Sequence, residues 1–438
     1  MAVNSVKAGG PGCETMRRRV VITGLGWTCS LGQGAEQCWS RLLAGQSGIS
    51  KIDLWDPAHY QAKVAATVDY DRSPLEDRSG VRKSFQMYLG VVDEALASAG
   101  LHARTQERRK IGIASGTSVN NLDLRQLRTM MSHLEETTAE LKTAEYLDLI
   151  QGGRTPPTMY SHLQGELINT LAMRRYRLGG PSFVVDTACA ASTHAIGEAL
   201  RLVRRGTADV MVAGGAAALV RPLHVIAFER LRALTSNPDP ATASRPFDRD
   251  RDGFVMGEAA GAVVLESLES ARQRGVPILA ELAGYGATST AYTMTDPSPD
   301  GAEEGRAMRL AIDDAGSPVE EIDYVAAHGT STPKGDLAET LGIRQVFGRH
   351  ADRLLVSSVK GQLGHTISAA GVCNLAAAIK AIQTGWAPPT ATLKCPDPQC
   401  DLNYVPGEAQ RAEIGAALSN SFAFGGQNAA LVVRRLNN

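Results

Sequence analysis

Short runs of β-branched and small apolar residues, most of them closed by glycine, recur along the chain and alternate with segments of helical spacing. Such runs are typical of buried strands, and their alternation with helices predicts an α/β fold. The predicted strands of the first half are 20–26, 111–116, 183–189, 208–215 and 261–268. The second half repeats the scheme at 278–286, 324–331, 354–361, 416–426 and 428–435. The sequence therefore predicts two similar layered halves.

The halves also share one kind of turn. The strand at 183–189 leads into an Ala-rich and Gly-containing helix at 190–205, and the strand at 354–361 leads into a similar helix at 365–384. Because these helices are apolar nearly all round, we expect them to be buried between layers. Residues 120–177 break the rhythm and predict a cap inserted over the first half.

Composition limits the class of protein. With 438 residues, 43% of them hydrophobic and 21% charged, the chain can bury a large core. A net charge of -1 argues against a dedicated nucleic-acid binder, and no run approaches the ~18 apolar residues of a membrane span. Seven cysteines without a CxxC pair predict a reduced, cytoplasmic protein without a metal site. We expect a flexible tail at 1–17 and halves at 18–269 and 270–438.

Cys189 is the candidate nucleophile. It lies where a predicted buried strand turns into a helix, and the positive end of the helix dipole lowers the pKa of a thiol placed there. The alternative is a small buried cysteine that packs at a crowded turn. The local pattern favours neither interpretation.

Two histidines and a glycine-containing turn end other strands. His328 and His365 follow consecutive predicted strands, and sites in α/β folds lie at the carboxyl ends of strands. Each histidine taken singly is also consistent with a structural role. Gly425 and Gly426 follow Phe424, and glycine can bring backbone N–H groups close to a ligand. Taken alone, this motif is explained better by an ordinary glycine turn between two strands.

Other familiar motifs are missing. The segment GLGWTCSLG lacks the third glycine of a dinucleotide-binding turn, and the chain contains neither a phosphate-binding GxxxxGK[ST] loop nor a GxSxG nucleophile turn. The run DRDRD at 248–252 is interpreted as a solvated loop.

The motifs TACAAS, HGTSTPKGD, VKGQLGH and NSFAFGGQN, together with RPFDRDRDGFVMGEAAG, resemble those of the β-ketoacyl-ACP synthase family. The likeness runs from about residue 18 to residue 435 and is greatest to the KAS II branch and to type II polyketide ketosynthases of the thiolase superfamily. It implies the thiolase fold, in which duplicated βαβαβαββ halves form a five-layered αβαβα sandwich.

The resemblance also implies a reaction, the decarboxylative condensation of an acyl-ACP with malonyl-ACP in fatty-acid or specialised type II polyketide biosynthesis. Cys189 would carry the acyl chain, and His328 and His365 would stabilise the enolate formed when CO2 leaves. Lys360 and Glu339 would orient the histidines. No cofactor is implied, because the substrates arrive on the phosphopantetheine arm of the acyl carrier protein.

Further roles carry over by motif. The backbone N–H groups of Cys189 and Phe424 would form the oxyanion hole, and Phe424 would gate the site. Val119, Phe422, Gly425 and Gly426 would line the substrate pocket, with Val119 limiting chain length. Ala423 and Gln427 depart from the Gly and Thr usual in the motif, and the segment 120–177 looks longer than in housekeeping relatives. The two replacements imply a change in the mobility of the gate, and the longer segment implies an unusual acyl substrate or a specialised pathway.

Partners and alternatives follow from the same likeness. Acyl carrier proteins are acidic, so exposed cations are candidate docking residues, namely Arg82, Lys83, Arg174, Arg175 and Arg177. We expect a homodimer, with a heterodimer containing a chain-length factor as the alternative. A non-catalytic chain-length factor would lack the nucleophile, and a thiolase acting on acyl-CoA would need a second cysteine in a C-terminal CxG turn, which this sequence does not contain.

Overall fold

A computed structural model describes residues 17–70, 83–101, 110–118, 131–132, 142, 144 and 165–437 of the chain. The predicted tail, apart from residue 17, and most of the predicted cap at 120–177 lie outside the described residues.

Among the described residues the main sheet has eleven strands, and most of the residues in them are buried. The strands are β1 (Val20–Cys29), β2 (Gly32–Gln33), β5 (Ile111–Gly116), β6 (Ser182–Val185), β7 (Val210–Ala217), β8 (Ala259–Ser267), β9 (Ala280–Ser289), β10 (Tyr324–Ala326), β11 (Leu355–Ser357), β14 (Ala416–Ala423) and β15 (Gln427–Arg434). Two short antiparallel pairs lie apart from it, formed by β3 (Ser50–Lys51) with β4 (Val64–Ala65) and by β12 (Trp386–Ala387) with β13 (Gln410–Arg411).

The helices occupy the crossovers between these strands. They are α1 (Ala35–Leu43), α2 (Lys83–Ser98), α3 (Leu167–Tyr176), α4 (Ala191–Arg204), α5 (Pro222–Arg230), α6 (Leu268–Arg274), α7 (Ala302–Ala315), α8 (Pro333–Phe347), α9 (Lys360–Leu363) and α10 (Ala370–Thr384). Short 3₁₀ turns lie at Ala188–Ala190, Val319–Glu321, Gly348–Arg353, Ile367–Ala369 and Phe424–Gly426.

The strand order is duplicated. From the middle of the sheet outward, one side reads β1, β8, β7, β5, β6 and the other reads β9, β15, β14, β10, β11. When the five strands of each half are numbered in chain order, leaving aside the short β2, both halves have the order first, fifth, fourth, second, third from the middle outward. The two innermost pairings on each side are antiparallel and the two outermost are parallel. The predicted duplication within an α/β fold is confirmed.

Two central helices separate the two sides of the sheet. α4 packs on β5 and β7 of its own side and contacts β9 and β15 of the other, while α10 packs on β10 and β14 and contacts β8. The helices also contact each other, whereas α2 covers the outer face of one side and α7 and α8 cover the other. This arrangement has the five predicted layers. A Cβ on Gly371 would lie 1.9 Å from Thr193 Oγ1, so α4 and α10 can approach only because residue 371 is glycine.

The join between the halves is a short antiparallel pairing of β1 with β9, in which Val21 opposes Glu281 and Ile22 opposes Ala280. Arg19 Nη2 and Arg434 Nε approach Glu281 Oε2 at 2.8 Å and 3.0 Å. Glu281 itself is buried, so pairing with these cations offsets the cost of burying its charge.

Four predicted strands are shorter than expected. The segments 183–189, 324–331, 354–361 and 416–426 leave the sheet after Val185, Ala326, Ser357 and Ala423. The predicted helix at 365–384 begins as a 3₁₀ turn, and its α-helical part is α10. We propose that the halves meet near the predicted boundary at 269/270, which falls inside α6.

Within the described residues, the segment Ile367–Thr384 is long and apolar enough to cross a membrane, but 89% of it is buried inside the protein. It contains the central helix α10, and its apolar character serves the core.

Candidate active site

Cys189 lies at the centre of the molecule, in the 3₁₀ turn between β6 and α4. Its side chain is buried, with 5% of the residue exposed. The preceding residue, Ala188, has a φ of 46°, a conformation that L-residues seldom adopt and that marks a constrained turn. The predicted strand-to-helix junction therefore exists, as a tight turn ahead of the helix.

Both predicted histidines lie beside this thiol. His365 Nε2 is 3.0 Å from Cys189 Sγ, and the rings of His328 and His365 stand nearly perpendicular with their centroids 5.4 Å apart. Aromatic rings fix their orientation, since Phe254 packs edge-on against His365 and Phe422 packs against His328. The structure thus brings together three residues that are far apart in the sequence.

The resting thiol is protonated, contrary to the sequence prediction. Burial raises the pKa of Cys189 to about 12, although the Lys360 ammonium and the backbone N–H groups of Phe424 and Cys189 act to lower it. The prediction of a lowered pKa is wrong because it considered only the helix dipole, and burial outweighs that dipole here. The His365 imidazole, with Nε2 3.0 Å from Sγ, is placed to accept that proton.

Both imidazoles are neutral in the resting site. Burial, followed by the nearby Lys360 charge, holds the pKa of His328 and of His365 well below the usual value. The Nδ1 atoms of both rings are buried and have no hydrogen-bond partner among the described residues. Neutral imidazole can carry its proton on either ring nitrogen, so it can act as acceptor or donor.

Glu339 and Lys360 are both buried at the site, but they do not contact the imidazole rings in the predicted way. Glu339 accepts hydrogen bonds from the backbone N–H groups of His328 (2.8 Å) and Gly329 (2.7 Å). It therefore fixes the backbone from which the His328 ring projects. Burial lowers the pKa of Lys360 to about 8, and its Nζ has no hydrogen-bond partner among the described residues. Lys360 acts on its neighbours through its charge.

Two asparagines complete the support, and the sequence analysis missed both. Asn420 Nδ2 donates to Glu339 Oε1 at 2.9 Å. Asn374 Nδ2 donates to the carbonyls of Ala327 and Asn420, each at 3.0 Å, which ties the end of β10 to β14. Asn420 lies two residues before Phe422 in the quoted motif, but nothing in its spacing points to Glu339.

The turn after β14 delivers Phe424 to the site. Gly425 and Gly426 have φ values of 78° and 74°, and a Cβ on Gly426 would lie 2.0 Å from the Thr290 carbonyl oxygen. Glycine is therefore required at position 426. The Phe424 N–H and the Cys189 N–H both point at Cys189 Sγ, which is the arrangement that an oxyanion hole needs.

Two cavities meet at Cys189. One, about 390 Å³, is mostly apolar and is lined among others by Leu219, Leu223, Phe228 and Ile367, with polar groups at Ser118, Asp186 and His224. The other, about 80 Å³, contains His328 and His365 and walls of threonine and asparagine. Phe424 borders both cavities, and Phe422 and Gly426 border the second. A third cavity of about 330 Å³ also borders Phe424 and opens beside the exposed residues Arg232 and Lys334.

The predicted solvated loop at 248–252 is partly buried. Asp248 accepts hydrogen bonds from the backbone of Lys394 and Cys395, and Arg251, with 3% of its side chain exposed, lies 2.7 Å from Asp397 and 3.5 Å from Asp336. The interpretation as a solvated loop is wrong, because these partners come from distant parts of the chain. Arg251 also donates to the Thr332 carbonyl, so it supports the wall of the cavity.

The remaining predicted site residues are scattered. Val119 and Arg82 lie outside the described residues. Lys83 forms an ion pair with the buried Glu258 at 2.6 Å, so its charge is already neutralised. Arg174, Arg175 and Arg177 are exposed at the end of α3, and none of them lines a cavity described above.

Comparison with known proteins places these features in a family. The family model for the β-ketoacyl synthase N-terminal domain matches residues 17–271, and the model for the C-terminal domain matches residues 279–394. The chain is 38% identical over 428 residues to 3-oxoacyl-[acyl-carrier-protein] synthase 2 of Coxiella burnetii, an alignment that covers 96% of this chain and 99% of the relative.

Solved structures agree with this match. A ketosynthase of a type II polyketide synthase, solved in complex with its acyl-carrier protein and bound to the hexaketide, superposes with a TM-score of 0.85 at 32% identity. The ishigamide ketosynthase/chain length factor superposes with a TM-score of 0.83 at 34% identity. Each superposition covers 96% of this chain and all of the other.

Replacing Lys360 with methionine should slow the alkylation of Cys189 by chloroacetamide. The ammonium lowers the pKa of the thiol, so its loss reduces the thiolate fraction, and we expect a rate about tenfold lower. Peptide mapping by mass spectrometry measures the rate at Cys189. Lys334→Met is the matched control because Lys334 is exposed at the surface. Equal rates in both variants and the unmodified protein would contradict the assigned role of the ammonium.

Proposed function

This chain belongs to the β-ketoacyl synthase family, and we propose that it joins an acyl chain carried on Cys189 to a malonyl unit in fatty-acid or specialised polyketide biosynthesis. The chain is a ketosynthase, an acyltransferase that acts on carrier-bound thioesters. The observation that carries the residue assignments is the placement of one thiol, two imidazoles and two inward N–H groups where two cavities meet.

In the first half-reaction, Cys189 Sγ attacks the acyl thioester on the carrier protein. A bond forms between Sγ and the acyl carbon, and the bond to the pantetheine sulfur breaks. His365 Nε2, 3.0 Å from Sγ, accepts the thiol proton and passes it to the departing pantetheine sulfur. The N–H groups of Cys189 and Phe424 stabilise the intervening oxyanion.

In the second half-reaction, the malonyl thioester occupies the cavity that contains both histidines. As the C–CO2 bond breaks, its electron pair forms an enolate whose oxygen accepts hydrogen bonds from His328 and His365. The enolate carbon then attacks the acyl carbon on Cys189, and the Sγ–C bond breaks to return the thiolate, which takes up a proton from solvent to restore the resting thiol. The product is a β-ketoacyl chain two carbons longer, attached to the carrier.

The apolar cavity of about 390 Å³ is the proposed site of the growing chain. Its lining of leucine, isoleucine and phenylalanine suits an acyl chain, and its polar residues at Ser118, Asp186 and His224 are consistent with an oxygenated one. We retain Val119 as a proposed chain-length residue next to Ser118. Phe424, which borders every cavity described, is the proposed gate.

Replacing Cys189 with alanine should abolish acyl transfer without unfolding the protein. Unmodified protein incubated with an acyl-ACP should gain one acyl mass on the peptide that contains Cys189, and the alanine variant should gain none. Intact-protein and peptide mass spectrometry measure both results. Condensation activity that persists in a variant with a normal melting temperature would refute the assignment.

The proposed carrier partner approaches through the third cavity. Arg232 and Lys334 lie exposed at its mouth, and Arg232 has no ion-pair partner among the described residues. The phosphopantetheine arm would pass between them toward Phe424. This surface replaces Lys83 as the docking proposal, because Lys83 is mostly buried against Glu258, whereas Lys334, although paired with Asp296, keeps 70% of its side chain exposed.

Charge reversal tests this surface. The double change Arg232→Glu and Lys334→Glu should raise KM for acyl-ACP about tenfold, because an acidic carrier then meets like charge, and the effect should shrink as salt screens it. Steady-state kinetics at low and high salt measure it. Arg174→Glu with Arg175→Glu is the matched comparison at the alternative site on α3. A rise confined to that second pair would move the docking surface to α3.

A second subunit would cover the open edge of the sheet. β6 lies at that edge and pairs only with β5 among the described strands, and its Phe183, Val184 and Val185 are half-buried. An apolar edge strand invites pairing with another chain. We therefore propose a homodimer joined along β6, with a ketosynthase/chain-length-factor heterodimer as the alternative.

Val184→Lys should convert the homodimer to a monomer, because it places a charge at the edge that pairs. Light scattering coupled to size-exclusion chromatography measures the mass. Leu310→Lys is the control, since Leu310 is 40% exposed on the outer helix α7. A monomeric unmodified chain would rule out the homodimer and favour the heterodimer.

The remaining proposals concern location and cofactors. We propose that the protein acts in the cytoplasm and that its substrates bring their own phosphopantetheine arm, so that no bound cofactor takes part.

A further inference from the structure

Glu304 has no part in the proposed reaction, yet it lines the same cavity as Cys189, His328 and His365. It lies in the first turn of α7, and only 2% of the residue is exposed. Its Oε2 atom is buried without a hydrogen-bond partner among the described residues. A buried carboxyl oxygen without a partner is costly, so such an atom at a cavity wall is expected to serve a bound ligand.

Glu339 shows what a structural carboxylate looks like in this protein. It lies nearby on α8, is equally buried, and accepts three hydrogen bonds from the backbone and Asn420. Glu304 lacks such donors at Oε2, and burial, together with the charges of Asp300, Glu303 and Glu339, raises its pKa. These effects shift Glu304 toward the protonated form, which can donate a hydrogen bond, and a malonyl carboxylate placed beside it would shift it further in the same direction.

The cavity contains no cation to receive a carboxylate. Neither lysine nor arginine is among its described lining residues, and both of its imidazoles are neutral. A malonyl group carries a carboxylate into this small space of about 80 Å³. Two ionised carboxylates facing each other there would repel strongly, whereas a pair that shares one proton would attract.

We propose that protonated Glu304 donates a hydrogen bond to the malonyl carboxylate and so helps select the extender unit over acyl groups that lack a carboxylate. This inference rests on the proposed function. Malonyl-ACP then binds only when Glu304 is protonated. Its affinity therefore falls as the pH rises above the pKa of Glu304. The acyl chain that loads Cys189 has no carboxylate, so the first half-reaction lacks this dependence.

Other titratable groups face the same region and must be separated from Glu304. They are Asp300 and Glu303 near the start of α7, Glu339 on α8, and Asp296, His328, His365 and Cys189 around the cavity, with Lys360 behind them. Glu304→Gln removes one titration and leaves an amide that can still donate. Glu303→Gln is the matched control, because Glu303 is partly exposed and pairs with Arg306.

The experiment measures KM for malonyl-ACP against pH in the unmodified protein and both variants, and it measures Cys189 acylation by mass spectrometry in each. We expect KM of the unmodified protein to rise about tenfold per pH unit above the pKa of Glu304, as one coupled proton requires. Glu303→Gln should behave alike, and Glu304→Gln should lose the rise.

Each outcome bears on one claim. The role of Glu304 is overturned if KM does not change with pH in the unmodified protein, or if it rises equally in Glu304→Gln. The proposed function still stands in either case as long as Cys189 becomes acylated. Absence of Cys189 acylation in the unmodified protein overturns the proposed function itself. If Glu304→Gln does not fold, Glu304→Ala takes its place, because alanine also removes this titration. The rise in KM should be lost in Glu304→Ala, and a rise that persists there overturns the role of Glu304.

Discussion

The contact between the first turns of α4 and α10 determines where chemistry can occur. The backbone N–H of Val372 donates to Ser192 Oγ at 3.1 Å, and Gly371 leaves room for Thr193. Each helix packs on the strands of its own half. The contact between the two helices therefore brings the residues just before α4 next to the residues just before α10. The 3.0 Å approach of Cys189 to His365 follows from it.

Burial of so many titratable groups in one place sets their protonation. The thiol is held protonated and both imidazoles are held neutral, and Lys360 and Glu339 supply the opposite charges that make the buried cluster tolerable. The resting thiol and imidazole are both uncharged. Charge therefore arises only when the thiol gives its proton to the imidazole as it attacks a thioester. The thiolate fraction of the resting site is therefore small, so Cys189 reacts only slowly with small electrophiles.

The sequence was sufficient to predict the duplicated α/β fold and the set of Cys189, His328 and His365, because each of them ends a contiguous strand motif. It could not predict contacts between distant segments. Arg251 looked solvated within DRDRD, yet its partner Asp397 is 146 residues away. Asn420 and Glu304 carry no local signal either, since their roles depend on elements that meet only in the folded chain. The thiol pKa was predicted in the wrong direction because burial depends on packing, which a helix-dipole argument ignores.

The two cavities at Cys189 differ in the charge that they can accept. The larger is lined mainly by hydrocarbon side chains, so it favours an acyl chain that carries no carboxylate. The smaller is also bounded by Phe254, Phe422 and Phe424, but threonine hydroxyls, Asn428, Glu304 and two imidazoles line it as well, so it offers hydrogen bonds to a group that still carries a carboxylate. Phe424 stands between them, and its N–H faces the sulfur at which the two substrates must meet. In the proposed reaction, loss of CO2 would remove the charge from the group in the smaller cavity. The resulting carbon nucleophile would then lie next to the larger cavity, where we propose that the acyl chain on Cys189 is bound.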